Sequence, residues 1–491
     1  MRASLLLVLA TLGLTSVALS AGQQPPLAEA PNPVRAAYTK YEHLIPMRDG
    51  VRLFTSVYVP KTCKAPQPIM MQRTPYSVAP YGIDNYRTAI GPSDHFLKEG
   101  VIAAYQDVRG RYLSEGEWAE VRPHNPRKGA KDFDESSDTW DTIDWLVKHV
   151  PCNNGRVGMW GISYPGFYVS AGMIDAHPAL KAVSPQAPVT DYYMGDDSFH
   201  NGAFMLAANF GFYTNFPVRR APGRPEPRPA FDYGTPSGYE FYLQMGPLYP
   251  GAARLGLAEN PYYRSNLDHT SYDDYWKARA IWQHFKTIAP AVLTVGGWFD
   301  AEDLAGPLLT HKTLKASSPA TKSHLVMGPW THGSWARGDG RTVGNLDFGT
   351  DISSWYREHV EFPFFMQHLL DKTLEPVATA TMFETGTNRW RTFETWPPAG
   401  TAETMYFGAG ETLSTSAPVE ADAFDQYLSD PNKPVPYVGH VQMGMQRDYM
   451  TEDQRFAATR PDLLVYQTPP LEAALTVLGP IGVDLHVSTS G

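Results

Sequence analysis

The stretch Gly158-Met159-Trp160-Gly161-Ile162-Ser163-Tyr164-Pro165-Gly166 decides the fold. A short apolar run, Arg156 to Trp160, reads as a buried strand, and Pro165 to Ala176 reads as a helix. A serine therefore sits on a sharp strand-to-helix turn, with Gly161 as a small neighbour. That is the context in which a serine hydroxyl is held out as a nucleophile. The strict G-x-S-x-G spacing is broken, because Pro165 stands where the second glycine belongs and Gly166 follows one later. A Gly-Ser turn at a strand end also occurs without chemistry, so the serine needs partners.

Working outward, Val51 to Val59, Pro68 to Arg73 and Val101 to Asp107 read as strands, and Ser137 to Val150 as a helix capped by Ser137. Ala289 to Gly296 and His324 to Gly328 are two further short buried strands with room for a helix between them. Strands alternating with helices imply a mostly parallel sheet covered on both faces. A base and an orienting carboxylate should follow later strands, in the order Ser, Asp, His. Asp300 follows the strand ending at Gly297, and His332 follows the one ending at Gly328. Ser163, Asp300 and His332 thus form a candidate triad on an α/β-hydrolase core.

Tyr192 to Phe285 breaks the rhythm. It is rich in Tyr, Pro, Gly and Asn, includes a Pro/Arg-rich segment at Pro217 to Pro229, and reads as an inserted helical cap over the strand ends. Beyond Pro376, Thr404 to Phe407, Asp462 to Gln467 and the alternating Val483 to Ser488 read as strands of a β-sandwich. So few strands would leave open edges, so this domain is expected to be cut short or completed by another chain. The expected division is leader 1–21, arm 22–36, core 37–191, cap 192–285, core 286–375 and sandwich 376–491.

Composition narrows the function. Arg2 followed by the apolar run Leu5 to Val17 and the small residues Ala18, Ser20 and Ala21 reads as a secretory signal, which places the mature chain outside the cytoplasm. The leader is too short to span a bilayer comfortably, and no later segment reads as a membrane span. A balance of 41 Lys+Arg against 51 Asp+Glu, net −10, argues against nucleic acid as a partner. Export permits Cys63 and Cys152 to pair, but two cysteines so far apart can equally be free. They form no CxxC and there is no HExxH, so neither a metal nor another cofactor is expected. Whether copies of the chain form a homo-oligomer stays open.

RTPY at Arg73–Tyr76, QDVRGRYLSEG at Gln106–Gly116, NGRVGMWGISYPG at Asn154–Gly166, GWFD at Gly297–Asp300 and GPWTHG at Gly328–Gly333 resemble the cocaine-esterase and X-Pro dipeptidyl-peptidase-like hydrolases. In that family G-x-S-Y-x-G is the usual elbow, which accounts for Pro165. The resemblance implies an α/β-hydrolase core, a helical cap and a C-terminal jelly roll, with Ser163, Asp300 and His332 as triad. It also implies an oxyanion hole made by the Tyr164 backbone N–H and the Tyr76 hydroxyl.

Two segments, MGDDSFHNGAF at Met194–Phe204 and WFDAEDLAG at Trp298–Gly306, are most similar to the α-amino-acid ester hydrolases and the related glutaryl-cephalosporin acylase-like proteins. By that likeness Asp197, Glu302 and Asp303 form a carboxylate cluster for a substrate ammonium, whereas Asp196 reads as structural. Gathered carboxylates repel one another unless a cation joins them, and an α-ammonium supplies one. The expected substrate is a small ester or amide of an α-amino acid, cleaved through an acyl-enzyme that water, or an amine such as a β-lactam nucleus, then takes up. A dipeptidyl-peptidase, a general acyl esterase or acylase, and a non-catalytic binding protein on a hydrolase fold are the alternatives.

Overall fold

The computed structural model describes residues 32–216, 229–420, 423–447 and 449–490. The leader reading of residues 1–21, most of the arm and nearly all of the Pro/Arg-rich segment lie outside the described residues. The core is a ten-stranded sheet. Its strands are β1 (Tyr38–Pro46), β2 (Arg52–Pro60), β3 (Gln67–Thr74), β4 (Ile102–Asp107), β5 (Asn153–Ser163), β6 (Leu180–Pro188), β7 (Ala291–Gly297), β8 (Ser323–Gly328), β9 (Ala380–Glu384) and β10 (Arg389–Phe393). Their order across the sheet is β1-β2-β4-β3-β5-β6-β7-β8-β9-β10. The run from β4 through β3 to β9 is parallel, while β1, β2 and β10 are antiparallel additions at the two edges.

Both faces of the sheet are buried, which is why its strands read as unbroken apolar runs. Ile69 and Met71 of β3 enter one apolar layer and Met70 the other; Ile102 and Ala104 of β4 part from Ala103 and Tyr105 in the same way. Helices α1 (Glu135–His149) and α2 (Tyr164–Gly172) cover the first layer. The first residue of α1 is two earlier than expected, and Asp134 is its cap. Asp134 accepts from the Ser137 N–H at 2.9 Å, and the Asp134 N–H donates to Ser137 Oγ in return.

The inserted region is helical where it is described: α3 (Leu206–Asn215), α4 (Gly238–Met245), α5 (Leu248–Arg254) and α6 (Pro261–Asp268). Phe210, Tyr213, Met245, Leu257 and Tyr263 give it an apolar cluster of its own. After it come α7 (Ala305–Ser317), between β7 and β8, and α8 (Phe362–Leu370), which packs on the second layer. A cavity of about 950 Å³ lies between α4 and residues 431–444; none of the candidate site residues lines it.

Three expectations change. The sheet continues past residue 375: Ala380, Thr381 and Met382 pair with Leu325, Val326 and Met327, so β9 and β10 extend the core beyond the expected boundary. Val483–Ser488 forms no strand, because its apolar side chains meet no neighbouring strand; Val483, Leu485 and Val487 are 70%, 57% and 82% exposed. Asp462–Gln467 contributes one bridge, Thr412 to Gln467, beside a small hairpin of Tyr406–Gly408 and Thr412–Ser414. No helix among the described residues is long and apolar enough to cross a membrane.

Candidate active site

Ser163 is the last residue of β5 and immediately precedes α2. Its φ of 66° and ψ of −127° lie where a side-chain-bearing residue is strained, which costs on the order of 1–3 kcal/mol. The turn tolerates no bulk on either flank. A Cβ on Gly161 would stand 2.4 Å from the Pro165 carbonyl, and one on Gly166 would meet Gln186 O at 2.8 Å. Pro165 is therefore compatible with the elbow: the close approach that G-x-S-x-G provides at the second glycine is provided here by Gly166 against β6. Ser163 itself is half-buried, so a small ligand can reach it.

Asp300 and His332 leave the ends of β7 and β8, and main-chain bonds hold their two loops together. The Trp298 N–H donates to Gly328 O at 2.8 Å and the Phe299 N–H to Trp330 O at 3.0 Å. This brings the Asp300 carboxylate to 2.9 Å from His332 Nδ1. Asp300 Oδ1 also accepts from the Glu302 and Asp303 N–H groups at 2.9 and 3.0 Å. One carboxylate thus orients the imidazole and shapes the turn that carries the two acids. Burial opposes charge on Asp300, but His332 outweighs it and holds the carboxyl below its ordinary range. The other imidazole nitrogen, Nε2, is the one a serine's base must use, and it lies 3.3 Å from Glu302 Oε2. Burial pushes His332 down; Asp300, then Glu302, outweigh it and lift it to about 9.

The three acids named from sequence come together beside this pair. Asp303 is fully buried and neither of its carboxylate oxygens has a hydrogen-bond partner. Burial first, then Asp197, pushes its pKa well above the ordinary carboxylate value. Asp197 is raised in the same direction by burial, then by Glu302. Among the described residues no Lys or Arg pairs with these acids, and His332 is the cation that acts on Asp197. Asp196, by contrast, is committed to structure. Its two oxygens accept from the Thr190, Asp191 and Gly306 N–H groups at 2.9, 2.8 and 2.8 Å, tying the base of the cap to the start of α7.

The two tyrosines named from sequence complete the neighbourhood, with Tyr76 within electrostatic reach of all three acids. The Tyr164 hydroxyl is occupied, accepting from the Val121 N–H at 2.6 Å, which leaves the backbone N–H at the first turn of α2 as the group free for a ligand. Tyr76 packs edge-on against Tyr164 and Phe216, with ring centroids 6.3 and 5.6 Å apart. It is 42% exposed overall, yet local burial, then the charges of Asp197, Glu302 and Asp303, push its phenol well above the usual value. A phenol that stays protonated next to acids is a hydrogen-bond donor at all working pH values.

Two contributors were not singled out in the sequence. Arg111 Nε donates to Pro75 O at 2.9 Å, and its guanidinium lies 4.2 Å from the Phe216 ring centre, so it braces the loop that carries Tyr76. His200, on a short hairpin of Phe199–His200 and Ala203–Phe204, lies near the Glu302 main chain, and burial lowers its pKa. Both belong to segments quoted above, but nothing in their spacing distinguishes them from ordinary polar residues. Cys63 and Cys152 are joined as a disulfide, with Cα atoms 6.1 Å apart.

Known proteins fit this arrangement. Residues 49–334 match the model of the X-Pro dipeptidyl-peptidase (S15) family, and residues 372–491 match the X-Pro dipeptidyl-peptidase C-terminal non-catalytic domain. A cocaine esterase of Rhodococcus sp. (strain MB1 Bresler) is 29% identical over 475 residues, 91% of this chain and 77% of the esterase. Two crystal structures superpose at 34% identity: an α-amino acid ester hydrolase, TM-score 0.82 over 95% of this chain and 77% of that one, and an aminopeptidase from a marine sediment Thaumarchaeota archaeon, TM-score 0.81 over 93% and 76%. With its elbow serine, its α/β core and its C-terminal module, the chain belongs to the X-Pro dipeptidyl-peptidase (S15) family of serine hydrolases.

Proposed function

We infer that this serine hydrolase cleaves small esters or amides whose acyl group carries a free α-amino group. The observation that carries this reading is the group of carboxylates beside His332, with Asp303 buried and without a partner for either oxygen. An α-ammonium entering there neutralises charge that is otherwise costly to keep buried. It also fixes the scissile carbonyl at a set distance from Ser163, so binding and orientation come from one contact. A glutaryl chain would bring a further negative charge to the same acids and is disfavoured. The names of the two 34%-identical relatives, an α-amino acid ester hydrolase and an aminopeptidase, point to the same acyl chemistry.

In this reading His332 takes the Ser163 proton as Oγ attacks the carbonyl, and Asp300 keeps the imidazole in the required tautomer. The Tyr164 N–H and the Tyr76 hydroxyl receive the oxyanion. His332 returns its proton to the departing alcohol or amine, and water, or an amine such as a β-lactam nucleus, takes up the acyl group. The Cys63–Cys152 disulfide supports an exported protein, since such bonds persist in oxidising compartments.

The test is a matched pair of substrates, phenylglycine methyl ester and methyl phenylacetate, with Gly-Pro-nitroanilide as a third. A kcat/KM at least tenfold higher for the amino ester than for its deaminated analogue is expected. Equal rates on the two esters would remove the reading. Faster turnover of Gly-Pro-nitroanilide would favour a dipeptidyl-peptidase.

A further inference from the structure

Glu302 stands in two relationships at once. It belongs to the acid cluster, and its Oε2 lies 3.3 Å from His332 Nε2. His332 is thus flanked at both nitrogens by carboxylates, Asp300 on Nδ1 and Glu302 on Nε2. Asp197 also acts on His332, and Asp303, His200 and Tyr76 are the further titratable groups beside these acids. The charged neighbours in this set are acids, and no Lys or Arg among the described residues forms an ion pair with Glu302 or Asp303.

A base held between two carboxylates is a base held protonated. The two carboxylates raise His332 above its ordinary value, which favours imidazolium at neutral pH. An imidazolium cannot accept the serine proton. A resting site built this way is switched off towards any substrate that leaves Glu302 where it is.

We propose that Glu302 locks His332 in its protonated state in the empty site, and that the substrate's own ammonium releases the lock by drawing Glu302 away from Nε2. This rests on the reading of the substrate given above and adds to it how the amino group is selected. The exchange balances: one ammonium enters and one proton leaves His332 Nε2, passing to solvent through the Glu302 carboxyl, whose side chain is 26% exposed. The net charge of the pocket is unchanged. Neutral Nε2 is then available to the Ser163 hydroxyl. A neutral ester binds but frees no base, so discrimination falls on kcat as well as on KM. Glu302 acts here as a positioning and specificity residue.

Phenylmethanesulfonyl fluoride is an uncharged probe of the empty site, because sulfonylation of Ser163 needs neutral His332 and no ammonium. The rate of inactivation is measured from pH 5 to 10 in the parent, Glu302→Gln and Glu302→Asp. The expected result is a midpoint at least one pH unit lower in Glu302→Gln, with inactivation at pH 7 faster by about tenfold. Rates of parent and variants should converge near pH 10, which establishes that the variants are folded. Glu302→Asp, whose carboxylate is shorter, should fall between. An unchanged midpoint overturns the proposal, whichever substrates the enzyme prefers.

The second arm is the pH dependence of parent kcat on the two esters. An acid limb at lower pH for the amino ester supports release by substrate, and one shared limb overturns it. A parent that prefers the amino ester but shows an unchanged sulfonylation midpoint keeps the substrate reading and loses this one. The converse result, a lowered midpoint with no amino preference, sinks the substrate reading.

Discussion

Asp300 is the residue on which most of the site converges. It orients His332 and accepts the two N–H bonds that shape the Glu302–Asp303 turn. Asp300→Asn should keep the fold but present the imidazole in the wrong tautomer, lowering kcat by about 10⁴; stopped-flow measurement of acylation checks it. If Tyr76 donates to the oxyanion as proposed, Tyr76→Phe should cost about 10²–10³ in kcat with little change in KM. Equal activity in Tyr76→Phe would assign the oxyanion to other donors. At this scale the sequence was most readable. Ser163, Asp300 and His332 could be named because each follows a strand in a fixed order. Tyr76, Asp197, Glu302 and Asp303 needed the family resemblance, since an isolated Tyr or acid carries no periodic signal. Arg111 acts through a main-chain contact to Pro75 and His200 lies near the Glu302 main chain, and no side-chain pattern records either.

Elements were legible to the extent that burial determined them. Strands β3 to β8 lie in a sheet covered on both faces, and their apolar runs are correspondingly continuous. The ends were less so: α1 is capped by Asp134 because the reciprocal bond with Ser137 forms one turn earlier than expected. Val483–Ser488 alternates as a strand would, yet alternation predicts pairing only where a partner strand is present. Two elements are held at the site by single side chains. Asp196 joins the Thr190–Asp191 main chain to Gly306, and Asp196→Ala should strand three buried N–H groups. A loss of about 2–4 kcal/mol, read from urea unfolding, is expected together with a raised KM. Arg111→Met should loosen the Tyr76 loop and lower kcat more than it raises KM, with Arg111→Lys restoring little because the planar stack on Phe216 is lost.

Over the whole molecule, the Cys63–Cys152 bond closes a long loop, its ends separated by 89 in sequence. Reduction should cost about 4–5 kcal/mol by loop entropy and lower Tm by several degrees; a calorimetric scan with and without reductant reads it. Stability should also fall as pH rises from about 6.5 to 8. Burial raises Asp107, Glu120, Asp196 and Glu361 to about 7 each, and His332 lies at about 9. In that window the native state binds more protons than the unfolded chain, so each rise in pH favours unfolding. Histidines with lowered values, among them His311 and His368 at about 4, act in the opposite sense, chiefly below about 7. A Tm that rises from pH 6.5 to 8 would contradict this. The proposed function depends on acids beside His332 selecting a cation next to the scissile carbonyl. Its most direct test is a cycle of two enzymes and two esters: the parent and Asp197→Asn, each with phenylglycine methyl ester and methyl phenylacetate. The prediction is that the parent's preference for the amino ester falls at least tenfold in Asp197→Asn while the deaminated ester is turned over as well or better. A preference that survives the substitution unchanged would contradict it.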